Sequence, residues 1–132
     1  MRVLIALVTL VAALAVGVST ALATTVEGKG GGLTVSVSLP PSATRGEPIT
    51  VAESITNDLQ SWQLVKVTQT LQGPAGRQLS FSYPILVGPY KTLAFNLTFT
   101  VPTSAPTGEY SLTLATKTKT GSATATATIE VS

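Results

Sequence analysis

The sequence predicts an all-β fold of two stacked sheets, and three observations carry that prediction. Short segments of strict apolar/polar alternation recur along the chain, turn residues separate them at near-regular intervals, and no segment after residue 23 sustains an apolar period of 3.6 residues. Threonine and serine supply over a quarter of that region while only 11% of the whole chain is charged. Threonine is β-branched and suits the solvated face of a pleated sheet, so this composition favours strands over disorder.

The first 23 residues stand apart. Met1-Arg2 opens the chain with a positive charge, Val3 to Val18 is almost wholly apolar, and Ser19-Thr20-Ala21-Leu22-Ala23 ends in a small-x-small pattern. That order predicts a secretory signal peptide cut after Ala23. A retained anchor would fall short, because sixteen residues at 1.5 Å rise span about 24 Å of a roughly 30 Å hydrocarbon core. The expected product is secreted, periplasmic or cell-surface, with no membrane span after processing. Thr24 to Gly32, with four glycines and no usable period, is expected to be a flexible tether, which leaves residues 33–132 as one domain.

Leu33, Val35, Val37 and Leu39 alternate with Thr34, Ser36 and Ser38, so Leu33 to Leu39 is a half-buried strand ended by Pro40-Pro41. Ile49 to Thr56 is the second, with Ile49, Val51 and Ile55 inward and Asn57-Asp58 as its closing turn. Trp62 to Gln72 is the third. It mixes two parities, which predicts a bulge or a two-sided central position. Gly73-Pro74-Ala75-Gly76 turns into a short strand, Gln78 to Ser82, and Tyr83-Pro84 breaks it. Lys91 to Val101 alternates most regularly, Tyr110 starts a strand towards Lys119, and Thr120-Gly121-Ser122 turns into a last strand lined by Ala123, Ala125, Ala127, Ile129 and Val131. Seven strands in about 100 residues suggest an immunoglobulin-like (fibronectin-III-like) β-sandwich.

Val101-Pro102-Thr103-Ser104-Ala105-Pro106-Thr107-Gly108-Glu109-Tyr110 resembles the approach to the penultimate strand of secreted bacterial immunoglobulin-like domains of the cell-adhesion-related kind. Gly46, Asn57, Pro74 with Gly76, and Gly108 with Tyr110 match the turn positions of that family, and the resemblance spans about Leu33 to Val131. Asp58, where the family carries a small residue, departs from it. The resemblance implies a structural role for Gly108 and Tyr110, the latter as a tyrosine corner whose hydroxyl bonds the preceding connection. It implies no activity.

Chemistry is excluded more firmly than it is indicated. The chain has no histidine and no cysteine, so it lacks an imidazole base, a thiolate nucleophile, a His/Cys metal site and disulfides, and no cofactor is expected. Glu47, Glu53, Asp58, Glu109 and Glu130 are scattered, and local spacing places no two of them as a glycosidase pair. Glu53 shares the inward parity of Val51 and Ile55, and a bulge turning it outward is the preferred expectation. A net charge of +2 without a basic run argues against nucleic acid.

The reading is therefore a non-catalytic, extracellular binding module for adhesion or envelope structure, with a protein or cell-envelope component as partner. Pro40 to Pro48, Asn57 to Ser61 and Tyr83 to Tyr90 are the loops most able to carry contacts. One alternative is self-association through the edge of Leu33 to Leu39, with the flat last strand also a candidate and Lys117 and Lys119 beside it read as edge protection. Another is carbohydrate binding on a platform of Trp62, Tyr83 and Tyr90, weighed against Trp62 as an ordinary core residue. Asn96-Leu97-Thr98 is a glycosylation sequon on an outward parity.

Overall fold

A computed structural model describes residues 23–132, so the expected leader lies outside the described residues apart from Ala23. Among the described residues, nine strands form two sheets packed as a sandwich. They are β1 (Thr24–Gly30), β2 (Leu33–Leu39), β3 (Ser42–Ala43), β4 (Pro48–Asn57), β5 (Gln63–Gln72), β6 (Gln78–Val87), β7 (Thr92–Thr100), β8 (Gly108–Thr118) and β9 (Gly121–Val131). The four-stranded sheet has the order β1-β2-β4-β7 and the five-stranded sheet the order β3-β9-β8-β5-β6. All pairs are antiparallel except β3 with β9. No helix among the described residues is long and apolar enough to cross a membrane.

Alternation puts Leu33, Val35, Val37, Val51, Ile55, Val65, Val67, Leu114 and the inward alanines of β9 into one buried layer between the sheets. The alanines let β9 lie close to the opposite sheet. The outer faces are laced by hydroxyl pairs in register: Ser36 with Ser54 at 2.6 Å, Thr56 with Thr92 at 2.7 Å, Thr68 with Ser82 at 2.8 Å and Thr113 with Thr126 at 2.9 Å.

Four expectations are corrected. The segment Thr24 to Gly32 is no tether: Thr24–Gly30 pairs with all of β2, and Val26 packs on the core. Its glycines are there for approach, because a Cβ at Gly28 or Gly30 would collide with the backbone of Thr124 or Ser122, so β1 lies directly on β9. Trp62 precedes β5 and is 64% exposed; the mixed parity of this segment comes from exposed Trp62 and Leu64, with no bulge in the β5 register. Strand β6 runs through Tyr83-Pro84 to Val87. It tolerates proline because the odd residues bond to β5, as the Gly73 N–H to Arg77 O bond fixes, so the nitrogen of Pro84 faces the free edge. Glu53, lastly, keeps its inward parity and is only 3% exposed.

The strand order also moves the sites available for self-association. Strand β2 is paired on both sides, so Leu33 to Leu39 has no edge to exchange. Strand β9 lies between β8 and β3, with β1 against its first half, and Lys117 points from the sheet face. Among the described residues the sheets end in β1 and β7 and in β3 and β6; β1 is laid against β9 at Gly28 and Gly30 and β3 is only two residues long, so the long uncovered edges are β6 and β7.

Candidate functional site

Two features depart from ordinary sandwich packing: an exposed end rich in lysine and aromatic side chains, and a buried carboxylate. The first end gathers the β1–β2 turn, the Asn57 to Trp62 loop, the Val87 to Lys91 loop and the β8–β9 hairpin, as the pairs Gly30↔Leu33, Leu33↔Asn57, Gln63↔Val87 and Thr118↔Gly121 require.

Asn57 holds this end together. It is fully buried, its Nδ2 donates to the carbonyls of Ser61 at 2.8 Å, Gly88 at 3.0 Å and Val87 at 3.2 Å, and its Oδ1 accepts the Leu59 N–H at 3.0 Å. One side chain thereby ties two loops. Thr118 and Thr120 hydroxyls both donate to Gly31 O, at 3.1 and 2.8 Å, and fasten the two hairpins together.

On that frame the aromatic residues are displayed. The indole of Trp62 comes within van der Waals range of where a Gly88 side chain would start, so one part of the ring rests on the Gly88 backbone while most of the residue faces solvent. Gly88-Pro89-Tyr90-Lys91 is a turn closed by the Lys91 N–H to Gly88 O bond of 3.1 Å. Tyr90 occupies its third position with φ 55° and is 67% exposed. A glycine or asparagine normally takes that position, because a β-carbon there costs about 1–2 kcal/mol. Tyr90→Gly should therefore raise stability by about 1 kcal/mol in a urea titration while weakening any contact made here.

Beside the aromatics, Leu64 and Leu86 are cross-strand partners on the outer face of the five-stranded sheet and both are largely exposed. Lys66 and Lys117 are the next registered pair, two like charges directly opposite, which destabilises a sheet. Their registered neighbours, Pro84 and Ser122, carry no negative charge. An open groove runs here between Leu64, Lys66, Ser82, Pro84, Lys117 and Lys119. With Lys29 and Lys91, every lysine of the chain lies towards this end, whereas Glu109 and Glu130 form a like-charged pair at the other end of the same sheet. The lysine end is therefore net positive even with Asp58 in its loop, whereas at the other end Arg45 and Arg77 largely offset Glu47, Glu109 and Glu130.

The three aromatic residues named as a sugar platform are thus divided. Trp62 and Tyr90 share the exposed end, but Tyr83 is on an inward position of β6, packed against the core, with its hydroxyl accepting from Gln69 Nε2 at 3.0 Å. Asn96 is exposed at mid-length of β7. Tyr110 is buried and donates its hydroxyl to Pro106 O at 2.7 Å, and burial raises its pKa. Gly108, with φ 131°, lets the chain pass Pro74. Sequence reasoning missed Leu64, Leu86 and the Lys66/Lys117 pair; only pairing register brings them together.

The buried carboxylate is Glu53. Its Oε1 accepts from Gln69 Nε2 at 3.0 Å, while Oε2 is buried without a partner. Desolvation raises its pKa, and the Gln69 hydrogen bond opposes this less strongly. A cavity of about 50 Å³ adjoins it, lined also by Leu97 and Phe81 of the free-edge strands. That has room for a few waters.

No family model and no curated protein matches the sequence. Among solved structures, the chain is similar to part of the β-glucosidase from Listeria innocua in complex with glucose, with TM-score 0.57 and 14% identity over 75% of this chain and 16% of that one. It is also similar to part of the alkylpurine DNA glycosylase AlkC of Pseudomonas fluorescens bound to DNA containing an abasic site analog, with TM-score 0.54 and 14% identity over 77% of this chain and 31% of that one. The chain therefore spans under a third of either protein, and at this identity the likeness concerns the fold alone.

Proposed function

We propose that the chain is an exported, non-catalytic binding module of the immunoglobulin-like (fibronectin-III-like) type, which uses its lysine and aromatic end to hold an acidic protein of the cell envelope. The type is supported by the order β2-β4-β7 facing β3-β9-β8-β5-β6, with β3 parallel to β9 and β1 added outside, and by the Tyr110 to Pro106 bond. The single observation that carries the function is the Lys66/Lys117 pair beside exposed Leu64 and Leu86. Like charges held opposite one another cost stability in the free module, and an acidic partner reverses the sign of that cost. The leucines, Trp62 and Tyr90 then supply the desolvated contact area that lysines alone lack.

The test is binding of the purified module to envelopes of the producing cell. The Lys66→Glu/Lys117→Glu double variant should lose at least ~10-fold in affinity, about 1.4 kcal/mol, and wild-type binding should weaken as salt rises. Binding that ignores both changes would refute the proposal. A second reading, a glycan partner, is favoured by the placement of Trp62 over Gly88 with its remaining surface open. Binding that survives protease treatment of the envelopes and falls with Trp62→Ala would select it.

A further inference from the structure

The four-stranded sheet ends in β7, and this edge lacks every usual safeguard. Residues 92–100 read Thr-Leu-Ala-Phe-Asn-Leu-Thr-Phe-Thr, with no charge and no proline, and the register with β4 is continuous from Pro48↔Thr100 to Thr56↔Thr92, so no bulge turns the strand away. The other free edge, β6, is blunted by Pro84.

Backbone bonds define what β7 offers. The Asn57 N–H to Lys91 O bond and the Val101 N–H to Glu47 O bond flank the strand and set its phase. Odd residues from Leu93 to Phe99 exchange bonds with β4, so Thr92, Ala94, Asn96, Thr98 and Thr100 turn their N–H and C=O groups outward. The sequence is also symmetric about Asn96. Stepping out in both directions gives Phe95 and Leu97, Leu93 and Phe99, and Thr92 and Thr100, each matched in kind, with only Ala94 and Thr98 unlike, so the strand laid antiparallel on itself sets large apolar residues opposite large apolar residues. An antiparallel pair centred on Asn96 is a hydrogen-bonded pair, since Asn96 is one of the outward residues.

We infer that β7 is an interaction edge for a second copy of this chain, paired antiparallel across a two-fold axis at Asn96 to join two four-stranded sheets into one of eight. Such an interface is isologous and closes at two subunits. It also covers side chains left half-open in the single chain: Phe95 and Leu97 are only partly buried and Phe81 is 40% exposed beside the cavity that opens between β6 and β7. The antiparallel arrangement points the two lysine ends in opposite directions, which makes the pair a bivalent connector if those ends bind. Because β7 belongs to the opposite sheet, this pairing stands or falls independently of the function proposed above. A glycan on Asn96 would crowd its symmetry mate across the axis and keep the chains apart.

The experiment uses the protein in the form in which it accumulates in the producing cell. Sedimentation over a range of concentrations should show a dimer that dissociates on dilution, and hydrogen exchange should show the amides of Ala94, Asn96 and Thr98 gaining protection as dimer forms. Asn96→Lys and Asn96→Glu, each placing like charges across the axis, should be monomeric with unchanged circular dichroism, and mixing the two should restore a heterodimer. A wild type that stays monomeric at millimolar concentration, or a dimer in which those amides gain no protection, would overturn the inference whatever the variants do.

Discussion

Asn57→Asp should cost about 3–5 kcal/mol, a large part of the total stability of a domain this size. Asn57 lies wholly in the interior, and its amide supplies the hydrogens that satisfy three main-chain carbonyls. A carboxylate of the same shape has none to give, so the change buries a charge facing three acceptors. Asn57→Ala should cost less, about 2–3 kcal/mol, because it leaves the carbonyls unsatisfied but adds no charge. Urea midpoints of the two variants check the order. The Asp variant should also recover at acid pH, where a neutral carboxyl can donate one hydrogen bond, and the Ala variant should not. Equal losses for the two, or no recovery on acidification, would show that Asn57 acts through shape alone. Since the same amide joins the Ser61 carbonyl to the Val87 and Gly88 carbonyls, both variants should unfasten Trp62 and Tyr90 from one another and reduce binding at that end.

Glu53→Gln should have the opposite sign. The carboxyl of Glu53 is buried with one oxygen unpartnered, and desolvation raises its pKa above the ordinary value of 4.5. An acid whose pKa is higher in the folded than in the unfolded chain favours folding when protonated. Its contribution is fully present below the unfolded value and is lost as pH rises through the folded one. Glutamine keeps the shape and retains a carbonyl to accept from Gln69. At pH 7 the variant should be more stable by about 1–3 kcal/mol, which moves Tm up by roughly 4–13 °C. At pH 4 the two proteins should melt together. The difference between their melting curves across pH isolates Glu53 from the other acids, and a gap independent of pH would contradict the assignment.

Most of the fold was legible because period-two alternation records which side of a sheet each residue faces. Leu33 to Leu39 and Leu93 to Val101 illustrate it: one parity is apolar and the other carries Ser, Thr, Ala or Asn. Where reading failed, one residue type served two physical ends. Glycine signals flexibility and also close approach, so Gly28 and Gly30 looked like a tether while they admit β1 against β9. Proline ends a central strand but not an edge strand, so Pro84 marked a break that does not exist. Large aromatics are usually buried, which makes Trp62 read as core, and a buried carboxylate is costly, which argues for Glu53 outward although its parity says inward. The Lys66/Lys117 pair could not be read at all, since its members are brought side by side only by strand pairing. Nor could the free edge be located without knowing the order of strands.

The contact of β1 with β9 bears on how the protein comes to be folded. Strand β1, the first of the described residues, finishes its packing on β9, the last, with Gly28 against Thr124, so the interior cannot be sealed until β9 has been delivered. Contacts so remote in sequence are slow to form. Were the chain exported as proposed, such an arrangement would favour its passage through a translocation pore, because collapse before delivery is disfavoured by connectivity alone.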